Sequence, residues 1–182
     1  MKLTELLQSN RPTVSCELFP PKPGTALLDA PSVSAPHGSA APGLLCSVTC
    51  SAGGSGNGGV TTADMANEVQ NINGITALAH LTCVAATRDE VRASLEDLKK
   101  LGIENILALR GDLPRDGAFP HPDGYHHASE LMEEIRTFGG FCIGGACYPE
   151  GHPESATLYE DIENLKYKVD AGCEFLTTQM FF

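Results

Sequence analysis

The sequence predicts an α/β fold, a (β/α)8 TIM barrel interrupted after about its sixth strand. Three features carry that prediction. Near-continuous apolar runs alternate with amphipathic helical stretches, the pattern of parallel strands covered by helices. Four of the helical stretches end at a glycine, the residue suited to the left-handed position that closes a helix. Finally, the C-terminal ends of the apolar runs carry polar residues: Glu17, Thr49, His80 with Thr82, Arg110 with Asp112, Tyr148 with His152, and Gln179. A barrel assembles its active site from the C-terminal tips of several strands, whereas an open doubly wound sheet concentrates such groups at one switch point. Six successive polar tips favour the barrel.

The first strand is expected at 13–19 and the second at 44–49. Between them, 20–43 is rich in Pro, Ser, Ala and Gly and shows no helical stripe beyond Leu27-Leu28, although the first barrel helix belongs there. The glycine-rich stretch 52–59 reads as a loose loop on the rim. From Thr61 onward the pattern is regular. Met65, Val69 and Ile72 fall on one helical face, Gly74 closes that helix, and a strand follows at 77–84. Thr87 and Glu90 form a capping box, each satisfying an amide of the first turn. Val91, Leu95 and Leu98 continue that helix to Gly102, and 105–109 is the next strand. Leu131, Ile135 and Phe138 lead to Gly139 and a strand at 141–146. Leu158, Ile162, Leu165 and Val169 lead to Gly172 and a strand at 174–179. A whole barrel needs ~250 residues against the 182 present, so 1–182 is expected to be one C-terminally incomplete domain.

Composition narrows the function classes. With 42% hydrophobic and 19% charged residues, a soluble globular core is expected. No apolar run approaches the ~20 residues that span a bilayer, and the polar N-terminus lacks the apolar stretch of a secretion signal. A cytoplasmic protein is the resulting expectation. The net charge of −11, without any Lys/Arg cluster, argues against nucleic acid as a partner. The seven cysteines include no Cys-x-x-Cys pair and mostly sit among apolar neighbours, where thiols act as small hydrophobes. Cys46 and Cys50 have no histidine at a familiar ligand spacing, so no metal site is expected.

Several residues carry candidate chemistry. Arg110-Gly111-Asp112 places opposite charges at a strand end, where burial is costly without partners; a structural ion pair tying down a loop accounts for them equally well. Tyr148-Pro149-Glu150-Gly151-His152-Pro153 contains two backbone-restricting prolines, which present Tyr and His in fixed directions or simply stiffen a turn. Asp161 and Lys168 lie within about 20° of each other around their helix, on the shoulder of its apolar stripe. They are expected half-buried toward the sheet, with Glu160, Glu163 and Lys166 facing solvent, and snorkelling would explain Lys168 as well. His80 interrupts a core-like strand, where a satisfied core histidine is the ordinary reading. Glu17 sits in an apolar run, so desolvation should disfavour its charged form and make it a candidate general acid. Gln179 offers a neutral amide suited to the edge of a heterocycle. Together, Arg110, Lys168 and two histidines suit an anionic, nucleotide-type cofactor, while Glu17 and Asp112 suit acid-assisted chemistry.

These segments, in this order, resemble the methylenetetrahydrofolate reductases: Glu17-Leu18-Phe19-Pro20-Pro21-Lys22, Ser47-Val48-Thr49, His80-Leu81-Thr82-Cys83, Ala108-Leu109-Arg110-Gly111-Asp112, Tyr148-Pro149-Glu150 with His152-Pro153, and Lys168-Val169-Asp170-Ala171-Gly172 leading to Thr178-Gln179. The resemblance implies a barrel with FAD on its rim, reduced by NADH or NADPH and reducing 5,10-methylenetetrahydrofolate to 5-methyltetrahydrofolate for methionine synthesis. It implies FAD contacts at Thr49, His80, Arg110, Gly111, Asp112, Ala128, Ala146, Tyr148, His152, Asp161 and Lys168. Glu17 resembles the general acid that opens the folate's five-membered ring, Asp112 a charge that tunes the flavin and steadies the cationic intermediate, and Gln179 a folate-binding residue. A homo-oligomer is compatible with the resemblance. A second reading is a non-catalytic barrel relative used for binding or assembly, against which the set Glu17, Asp112 and Gln179 speaks.

Overall fold

The computed structural model describes residues 1–9, 12–21, 43–50, 60–113 and 121–182. The elements in order are α1 (Leu3–Leu7), β1 (Val14–Leu18), β2 (Leu44–Val48), α2 (Thr62–Asn67) running on into a π turn (Glu68–Ile72), β3 (Thr76–Thr82), α3 (Arg88–Lys100), β4 (Asn105–Leu109), α4 (Ala128–Phe138), β5 (Cys142–Cys147), α5 (Leu158–Asp170) and β6 (Phe175–Thr178). The first barrel helix expected within 20–43 and the rim loop at 52–59 lie outside the described residues, apart from 20, 21 and 43 at the margins.

All six strands are parallel, and each pairs with the next in sequence, giving the order β1-β2-β3-β4-β5-β6. Among the described residues the order never reverses, so the sheet has no switch point of the doubly wound kind there. The sheet instead curls in one direction as a half-barrel, the α/β TIM-barrel architecture read from the sequence. Two apolar layers divide along the two-residue period of the strands. Outside, Cys46, Val48, Ala77, Ala79, Ile106, Ala108 and Ile143 meet Met65, Val91, Leu95, Leu131 and Ile135 of the helices. Inside, Leu45, Leu78, Leu107 and Cys142 meet Leu3 and Leu6 of α1, which plugs the N-terminal end of the curl.

Local chemistry explains where the helices begin. Thr87 Oγ1 accepts from the Glu90 amide at 3.2 Å, and Glu90 accepts from the Thr87 amide at 2.8 Å. Thr61 and Asp64 form the same box at 3.0 and 2.9 Å, the shorter acid serving as well as Glu. The closing glycines 74, 102, 139 and 172 all have positive φ, between 68° and 113°.

Two expected faces differ. Ile72 is exposed, because the π turn widens the helix and carries the residue off the stripe of Met65 and Val69. On α5, Leu158, Ile162 and Val169 are 52%, 53% and 54% exposed, while Asp161 is buried. The helix leans on α4. Its apolar stripe faces past β6, the outermost strand among the described residues, where no further strand receives it.

Candidate functional site

Strands β1, β2, β3 and β6 bring polar side chains to the inside of the half-barrel. Glu17 of β1 stands opposite Ser47 of β2, and His80 of β3 stands opposite Leu107 of β4. Glu17, Ser47 and His80 line an inner cavity of about 360 Å³ together with Leu45, Leu78 and Phe175. Glu17 Oε1 lies 4.0 Å from His80 Nε2, too far for a hydrogen bond. His80 is only 8% exposed, and its Nε2 has no hydrogen-bond partner among the described residues. The ordinary reading of a satisfied core histidine therefore fails. Burial lowers the His80 pKa, and the charge of Glu17 opposes that only in part.

This depression fixes the sign of a pH effect. The unfolded imidazole takes a proton near pH 6.5, before the folded one does. Stability is accordingly lost as pH falls through about 6.5, and levels off once the folded ring is protonated. Thermal melts between pH 8 and 5 should show this acid limb in the wild type and a shallower one in His80→Gln. Identical limbs would remove His80 as its source.

The expected desolvation of Glu17 is not found: its side chain is 51% exposed. The reason is positional. β1 is an edge strand with four of its five residues exposed, so apolar neighbours in sequence do not enclose the carboxylate.

A second group of side chains occupies the C-terminal rim. Arg110, just past β4, donates to Glu154 through Nη1 at 2.6 Å and Nη2 at 2.7 Å, and its Nε reaches the Gly111 carbonyl at 3.4 Å. The paired carboxylate holds the guanidinium pKa above its ordinary value despite partial burial. Gly111 has φ +90°, and a Cβ there would sit 2.9 Å from Val84 Cγ1 and 3.2 Å from Thr82 Cβ, so the backbone between Arg110 and Asp112 accepts only glycine. Beyond β5, Tyr148 and His152 meet edge to face at 4.6 Å. His152 Nδ1 accepts the Glu154 amide at 3.1 Å. Ser155 Oγ donates to the buried Asp161 at 3.3 Å. Lys168, half-buried on α5, donates to the Ala146 carbonyl at 2.6 Å; burial lowers its pKa, and the charge of Asp161 opposes the shift.

The remaining expected residues are more dispersed. Thr49 ties the end of β2 to β1 through its amide and hydroxyl, both donated to the Leu18 carbonyl at 2.9 and 3.3 Å. Ala128 opens α4, and its side chain packs against the outer core. Asp112 is exposed on the rim, three residues past β4. Gln179 lies one residue past β6, exposed, its backbone N–H donated to the Cys147 carbonyl at 2.8 Å.

Residues 2–182 match the family model described as methylenetetrahydrofolate reductase. The chain belongs to the methylenetetrahydrofolate reductase family. It is 36% identical to methylenetetrahydrofolate reductase 2 of Saccharomyces cerevisiae, an alignment covering 100% of this chain and 32% of the yeast protein. Methylenetetrahydrofolate reductase (NADH) 1 of Zea mays is 35% identical, again over 100% of this chain and 32% of the relative. The 5,10-methylenetetrahydrofolate reductase of Pectobacterium carotovorum is 40% identical over 66% of this chain and 39% of the relative. The chain thus spans about a third of the length of the curated relatives it matches. Among the described residues no helix is long and apolar enough to cross a membrane.

In this reductase-family chain, Ser47, Glu154 and Ser155 also belong to the two polar groups, and the sequence alone assigns them no role in the site. Ser47 was open to discovery, since it alternates with Leu45 on the strand beside Glu17. Glu154 and Ser155 directly follow the Tyr-Pro-Glu-x-His-Pro motif, yet no periodicity links them to Arg110 or Asp161.

Proposed function

We propose that this chain provides the FAD-holding part of a cytoplasmic enzyme that reduces 5,10-methylenetetrahydrofolate to 5-methyltetrahydrofolate with NADH or NADPH, serving methionine synthesis. Family membership supports the reaction. The observation that carries the site is His80 Nε2, buried and without a hydrogen-bond partner among the described residues, facing the cavity shared with the acid Glu17. A buried polar atom left unpaired costs roughly 1–3 kcal/mol, a cost that a ligand with a complementary polar edge removes. A flavin has such an edge, and its adenine dinucleotide form also carries the pyrophosphate that Arg110 and Lys168 suit.

Bound FAD supplies the hydride-carrying chemistry, and the protein orients it. Arg110 and Lys168 would hold the anionic linkage, and Asp161 would accept from hydroxyls. Tyr148 and His152 offer aromatic surface. Thr49, His80, Gly111, Asp112, Ala128 and Ala146 complete the proposed cofactor contacts. Glu17, at the inner mouth and open enough to meet a substrate, would give its proton to the folate ring nitrogen as the five-membered ring opens. The negative charge of Asp112 would steady the resulting cation, and the Gln179 amide would hold the pterin.

Flavin titration tests this reading. The chain should bind FAD, and Lys168→Ala should weaken it about tenfold, the scale of one charge-assisted hydrogen bond. Riboflavin, which has no phosphate, should bind both forms equally. Absence of FAD binding by the wild type would overturn the proposal.

A further inference from the structure

We propose that Glu154 is the positioning residue of the rim, orienting Arg110 toward the phosphates of a dinucleotide cofactor and His152 as the aromatic surface beside them; the identity of that cofactor rests on the reading above. Arg110 and Glu154 are 44 positions apart, on the loops that follow β4 and β5. Their contact joins the tips of two neighbouring strands.

Arginine reaches its target on a long, rotatable stem, and ordering that stem has an entropic cost. A bidentate carboxylate fixes both the position and the plane of the guanidinium. Here Nη1 and Nη2 are committed to Glu154 and Nε to the Gly111 carbonyl, so the head group is oriented from two directions. The same residue works through its backbone. The Glu154 amide donates to His152 Nδ1, which places the ring proton of the neutral imidazole on Nε2. Next in the chain, Ser155 donates to the buried Asp161. Two consecutive residues thereby reach three side chains proposed to contact the cofactor.

The negative charge of Glu154 opposes an anionic ligand, so the sign of its effect has to be decided. Glu154 is half exposed, at 51%, and solvent and salt screen its charge. Arg110 is only 21% exposed, and its orientation is not screened. Ordering should therefore outweigh repulsion, and removing Glu154 should weaken binding.

Glu154→Ala is expected to weaken FAD about tenfold and Glu154→Gln, which keeps one acceptor, about threefold. Riboflavin affinity should not change. In an Arg110→Ala background, Glu154→Ala should add little, because two residues acting through one contact are not additive. Equal or tighter FAD binding by Glu154→Ala would overturn the role, as would a full tenfold loss in the Arg110→Ala background. A readout independent of flavin is the Arg110 Nε–Hε resonance in ¹⁵N-labelled protein. It should be resolved in the wild type and merge with mobile arginines in Glu154→Ala; no change overturns the inference. If the wild type binds no FAD, the flavin reading fails by itself. Inorganic pyrophosphate then serves as probe, and positioning stands only if the wild type binds it and Glu154→Ala binds it more weakly.

Discussion

On the proposed function, Glu17→Gln in the full-length enzyme is expected to lower methylenetetrahydrofolate reduction about 100-fold or more, the scale of a lost general acid, while flavin binding stays unchanged. The amide keeps the size of the side chain and its ability to hydrogen-bond, but it has no proton to transfer. Among the described residues, His80 lies 4.0 Å away on the inner face, and burial lowers its pKa, which makes it a poor replacement acid. Asp112 lies on another strand tip, out on the rim. On the same reading, the half-reaction in which the nicotinamide reduces the flavin would need no proton from Glu17, and should proceed at the wild-type rate with an artificial electron acceptor. Measuring both half-reactions on the same preparation separates the two roles. Wild-type folate turnover in the variant would take Glu17 out of the mechanism, and loss of both half-reactions would mean that it acts on the flavin site.

Where local chemistry decides the structure, the fold could be read from the residues. The Thr87–Glu90 box, the stripe of Val91, Leu95 and Leu98, and the turn at Gly102 describe α3 almost to its ends, because each depends on neighbours within a few positions. The strands at Asn105–Leu109 and Leu44–Val48 are similarly plain, being buried on both faces. Errors arose where tertiary position overrides pattern. Ile72 obeys the helical period in sequence, and a π turn removes it from the face. The stripe of α5 is helical and apolar as read, but which way a helix turns depends on what lies beside it.

The two polar groups were legible to different degrees. Six polar strand tips pointed to one rim, and parallel strands in sequential order do place Glu17, Ser47 and His80 on one inner face. Burial was the harder inference. Glu17 has apolar neighbours in the chain, yet β1 is an edge strand among the described residues and leaves it open, whereas Asp161, on the shoulder of its apolar stripe, is nearly enclosed. Glu154 was beyond reach for a different reason. Its partner is 44 residues away, and only the adjacency of β4 and β5 brings the two loops together.

Asn105→Ala is expected to destabilise the protein by about 3 kcal/mol or more, from unpaired buried groups and a cavity. Asn105 has no exposed surface at the start of β4. Its Oδ1 accepts the Leu3 amide at 2.6 Å, while its Nδ2 donates to the Ala77 carbonyl at 3.1 Å and to the Met1 carbonyl at 3.2 Å. One side chain thus joins the chain start, β3 and β4. Alanine leaves the Leu3 amide and the Ala77 carbonyl without that partner in a dry interior. α1 has only five residues, too few to persist without tertiary support. Its release would withdraw Leu3 and Leu6 from the inner layer and open the floor beneath the cavity that holds Glu17 and His80. Asn105→Asp keeps the acceptor but loses the donor and buries a charge, so it should be no milder. Urea unfolding gives the stability, and hydrogen exchange at the Leu3 amide reports whether α1 lets go first. A loss below about 1 kcal/mol, with Leu3 still protected, would mean that apolar contact alone seats the helix.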